Sequence, residues 1–116
     1  AASRGWPGAP RPALAADLLP ERALAGDAEA VAAMRTEIFA LLVAAPGPLV
    51  ETLAAYLESG RSLEAAARTL FVHPNTVRYR LRRIANLCGW DPMDAREGFV
   101  LQIALVLGRL APRGLV

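Results

Sequence analysis

The residues best equipped for chemistry lie in one run near the middle of the chain: His73, Asn75, Thr76, Arg78, Tyr79, Arg80, Arg82 and Arg83. Asn and Arg are the side chains that grip base edges in pairs of hydrogen bonds, Asn on adenine and Arg on guanine. Thr and further Arg suit phosphate oxygens. Arg78 and Arg82 stand four residues apart, and residues 74–87 contain no Asp or Glu to neutralise them. An external anion is the natural partner for such a face. Arg80 and Arg83 have a second option, a carboxylate on another helix of the same chain. Tyr79 suits a sugar–phosphate contact or packing beside a neighbouring helix. His73 is the only histidine and has no Cys or carboxylate at metal-ligand spacing, so it reads as a helix N-cap or a phosphate contact.

The run needs a scaffold, and the flanking sequence supplies one. Val77, Leu81, Ile84 and Cys88 recur at spacings of four, three and four, which places them on one stripe of a helix over residues 74–87 with the polar face opposite. Pro74 suits the first position of that helix, and Gly89 suits its end. Before it, Ser62 caps a short helix over 63–70 with Leu63, Ala66, Ala67 and Leu70 inward. The two alanines allow close crossing, and Val72 plugs the three-residue break into the core. Two helices joined in this way over residues 62–87 form a helix-turn-helix pattern, whose second helix enters the major groove of DNA.

Elsewhere the pattern is also helical. Asp27 caps a helix carrying Val31, Met34, Ile38, Leu41 and Leu42, which Pro46, Gly47 and Pro48 end. A second runs from Leu49 to Ser59. Asp91 or Asp94 caps a terminal helix to Leu110 that is apolar nearly all round and so must be central to a core or shared with a partner. Residues 1–26 read as a disordered tail and connector with short helical turns at most, and residues 27–116 as one domain. The expected fold is all-α, a compact bundle of about five helices. A composition of 54% hydrophobic and 6% aromatic residues supports helix packing.

The net charge of +2 hides an uneven distribution. Residues 1–60 hold four Arg against seven acids, whereas 61–90 hold six Arg against Glu64 alone. Such a block fits a polyanion. The lone Cys88 excludes an internal disulfide, and no signal or membrane-length apolar segment appears, so a cytoplasmic setting with no membrane partner is expected. No nucleophile–base arrangement, phosphate loop or metal set appears, and neither enzyme activity nor a cofactor is expected.

The string SLEAAARTLFVHPNTVRYRLRRI, followed by CGWDP and an apolar terminal helix, resembles the C-terminal DNA-binding domain of PucR-type bacterial transcriptional regulators. The segment from His73 to Leu81 is its most specific part, and the resemblance extends from about Leu49 to Leu110. A weaker likeness to Fis-type helix-turn-helix domains points the same way. The resemblance implies duplex DNA as partner, with an effector-sensing region upstream. Coverage of the terminal helix by a two-fold mate would make the domain a homodimer. The competing expectation is a helical protein-interaction or dimerisation module whose Arg face binds an acidic partner.

Overall fold

A computed structural model describes residues 18–110, and among them every regular element is helical. The order is α1 (Leu19–Leu24), α2 (Ala28–Ala44, with a π turn at Arg35–Phe39), α3 (Leu49–Glu58), α4 (Leu63–Leu70), α5 (Pro74–Cys88) and α6 (Ala95–Leu110). The all-α expectation holds. The described residues form six helices because the expected connector contributes α1, which buries Leu19 and Ala23. The tail expected at residues 1–17 lies outside the described residues.

Caps set most boundaries. The Asp27 carboxylate accepts from the Glu29 and Ala30 N–H groups, and Ser62 Oγ accepts from Ala65 N–H. Asp94, one of two candidates from sequence, accepts from Glu97 N–H at 2.9 Å and so starts α6. Gly89 ends α5 at φ +82°, a region that glycine adopts without a Cβ clash.

The π turn inside α2 has a geometric role. The buried positions of α2 are Ala30, Met34, Ile38 and Leu42, at intervals of four. In an uninterrupted α-helix, four residues overshoot a turn by about 40°, so this stripe would rotate about 120° from first to last. A π turn holds extra chain in one turn and unwinds most of that drift. All four side chains therefore reach the same core.

Helix α6 packs on α1, α2 and α3. Val100, Leu101, Ala104 and Leu105 are buried, and Gly108 lets the Phe39 ring sit directly on the α6 backbone. The sequence posed two ways to cover this helix, and its own chain covers most of it. What remains is a strip of half-buried Phe99 and Ile103 with exposed Val106 and Leu110. Among the described residues no single helix is long and apolar enough to cross a membrane.

Candidate nucleic-acid interface

Helices α4 and α5 meet through small residues. Ala66 and Ala67 are buried against α5, whose own buried stripe is Val77, Leu81, Ile84, Ala85 and Cys88. The turn between them closes when Val72 N–H donates to the Ala67 carbonyl at 3.0 Å, and Val72 packs against the core. This closure forces Phe71 into the left-handed region, φ +58°.

His73 then caps α5: its Nδ1 accepts from Asn75 N–H at 2.9 Å. A nitrogen that accepts cannot carry a proton, so the neutral ring bears its hydrogen on Nε2. The cap reading of His73 is what the structure has, and the exposed ring keeps its one donor, Nε2–H, for another partner.

Along α5, Asn75, Tyr79, Arg82 and Asn86 recur at spacings of four, three and four and are all exposed. Tyr79, 60% exposed, belongs to this outward stripe and is not packed away. Arg78 flanks it and is half-buried; its Nε is sealed from solvent with no hydrogen-bond partner among the described residues. The ion pairs among the described residues use Arg22, Arg96 and Arg109, and none draws on α5.

Two of the eight candidates turn back into the protein. Arg80 Nη1 donates to Thr52 Oγ1 at 3.2 Å, and that buried hydroxyl donates in turn to the Pro48 carbonyl at 2.7 Å. Arg83 Nη1 donates to the Pro46 carbonyl at 2.9 Å, over Gly47. The expected internal option for these arginines was a carboxylate; the acceptors are a hydroxyl and a backbone carbonyl. Together they tie the flank of α5 to α3 and to the bend between α2 and α3. Half-buried Thr76 lies on that same flank.

Sequence reading passed over Arg68, an exposed residue of α4 within the same cationic block, and Phe71, 93% exposed at the turn. Position on the outer face of α4 was the available signal for Arg68. Among the described residues no three His, Cys, Asp or Glu side chains gather as a metal site.

Residues 49–107 match the model of the PucR C-terminal helix-turn-helix domain. An uncharacterized protein of Mycobacterium tuberculosis is 56% identical over 106 residues, 91% of this chain and 26% of that protein. The purine catabolism regulatory protein of Bacillus subtilis is 39% identical over 53% of this chain and 12% of its own length. The crystal structure of a regulator of polyketide synthase expression from Bifidobacterium adolescentis superposes with a TM-score of 0.77 at 45% identity, covering 80% of this chain and 37% of that one. The chain thus spans about a quarter of the mycobacterial relative.

Proposed function

Because the chain belongs to the PucR C-terminal helix-turn-helix family, we propose that it binds duplex DNA with sequence preference as the output domain of a bacterial transcriptional regulator. The observation that carries this reading is the outward stripe of α5. Asn75, Tyr79 and Arg82, with Arg78 beside them, stand on a helix free of acids whose opposite face is locked in the core. In the major groove, Asn75 and Arg78 read base edges, while Thr76, Tyr79, Arg82 and the Nε2–H of His73 serve sugar and phosphate. Arg80 and Arg83 act by fixing the angle of α5 through Thr52 and Pro46.

Two copies on an inverted repeat belong to the same reading, with the Phe99–Ile103–Val106–Leu110 strip as their shared face and half-sites about 34 Å apart. Effector sensing belongs to a region preceding these residues, as the greater length of the relatives supports. The test is selection of bound oligonucleotides from a random duplex pool, followed by titration of the winner against a scrambled duplex. Enrichment of a motif and a salt-dependent affinity are expected. No enrichment and no salt response would remove the reading and leave an acidic protein as partner of the Arg face.

A further inference from the structure

Phe71 is an aromatic residue in the wrong place for folding alone. It ends α4 in the left-handed region, where glycine is the residue of choice, and the residue is 93% exposed. The ring therefore contributes almost no burial to offset its backbone conformation. It borders an open concavity of about 790 Å³ whose wall is formed by Val72, His73 and Pro74 on the α5 side and by Arg68 and Glu64 on α4. Ala67, Phe71, Val72 and Pro74 give it its apolar lining. Arg68 lies one turn before Phe71, and His73, with its free Nε2–H, lies two residues after it.

We infer that this concavity is an extension of the DNA surface, and that it seats the sugar–phosphate backbone of one strand beside the head of α5. The inference rests on the DNA-binding reading and names a contact that reading does not include. Phe71 lays its ring on a deoxyribose, which is apolar on its ring face. Arg68 and His73 Nε2–H take the neighbouring phosphates. Continuity supports DNA over a separate protein partner, because His73 and Pro74 belong both to the concavity and to the start of the outward helix. Charge supports it too: Arg68 is exposed, and no ion pair among the described residues engages it. Glu64, about two turns from Phe71 along the chain, also lines the concavity and is the acid a phosphate would avoid.

The decisive variants are Phe71→Gly and Phe71→Tyr in the whole 116-residue chain, measured by thermal melting and by titration with a selected and a scrambled duplex. Phe71→Gly should keep the wild-type Tm or exceed it, since it relieves a left-handed non-glycine residue. It should weaken both duplexes alike by roughly three- to tenfold, the scale of one lost apolar contact, and Phe71→Tyr should restore binding. Unchanged DNA affinity in Phe71→Gly would overturn the inference while leaving α5 as the reader, and would assign the ring to a protein partner. A lower Tm would overturn it by making the ring structural. Failure of the wild-type chain to bind either duplex is the separate signature that the DNA reading itself has failed, and this contact with it.

Discussion

At the scale of single residues, the cationic run of α5 divides by what each side chain touches. Arg78 and Arg82 have no ion-pair partner among the described residues, whereas Arg80 and Arg83 are already engaged by Thr52 and Pro46. Arg78→Ala should therefore cost about 1–3 kcal/mol of binding on the selected duplex and relax base preference there. Arg83→Ala should act on the fold first, lowering stability by about 1 kcal/mol as the Pro46 carbonyl loses its donor. Parallel melting and titration separate the two, and an Arg83→Ala protein with wild-type Tm but uniformly weakened DNA binding would return Arg83 to the phosphate contacts. Type and spacing single out all eight as candidates, and put Asn75, Tyr79 and Arg82 on what is the exposed face of α5. Their division was not, because the acceptors lie 28 and 37 residues away in sequence and one is a backbone carbonyl. Periodicity records which face a residue occupies, and a flank position is compatible with either partner.

At the scale of elements, capping residues and breakers carried most of the information. The short helix over 63–70, the break at 71–73 and the Pro74 start coincide with α4 and α5, since each boundary is written in Ser62, His73, Pro74 or Gly89. Helix α1 was harder to see: its six residues show no period, and it persists by docking Leu19 and Ala23 on the core. The dependence of α5 on its cap is testable. His73→Ala removes the acceptor for Asn75 N–H and should lower stability by about 1 kcal/mol, read as the midpoint of urea unfolding. His73→Asn, which keeps an N-cap acceptor, should recover most of that loss. The contact of α2 with α6 is equally specific. Gly108→Ala places a methyl group against the Phe39 ring and should cost about 1–3 kcal/mol, visible in the same unfolding curves.

For the whole molecule, the charge pattern separates two functions of its ionic groups. From the block at 61–90, Arg68 and Arg82 face outward from α4 and α5, while the ion pairs elsewhere join α1 to the start of α2 and α6 to α1 and α3. Arg96 holds Glu21 at 2.5 and 2.8 Å and so joins α6 to α1, bringing the Glu21 carboxyl from the ordinary 4.5 down to about 2. Asp27 is likewise lowered, chiefly by its hydrogen bond from Arg22. A carboxylate lowered in the folded state stabilises above its unfolded value and loses that contribution as pH falls. Acidification from about pH 4.5 towards 2 should thus release α1 from α6, with salt weakening the link beforehand because both partners are half-exposed. A Tm against pH curve that is the same for Glu21→Gln and wild type across this range would show that the pair contributes nothing. With Arg68 and Arg82 as the phosphate-facing arginines and Arg78 on the bases, log affinity per domain should fall with log salt at a slope of about −2. A slope near −4 would mean that Arg80 and Arg83 leave their internal acceptors on binding.

The π turn in α2 amounts to one residue more than a regular helix needs, and a surplus can be removed. Deleting the exposed Glu37 would change the intervals between Ala30, Met34, Ile38 and Leu42 from four, four, four to four, three, four. That is the spacing a plain α-helix lines up by itself. Insertion–deletion tolerance should therefore be concentrated within Arg35–Phe39. Loss of Glu37 there should leave a folded protein with its near-ultraviolet dichroism intact, whereas loss of the equally exposed Ala32 would swing Ala30 off the shared face and collapse the packing. Among related sequences, length differences of a single residue in this helix would then mark a change of helical form rather than a change of fold.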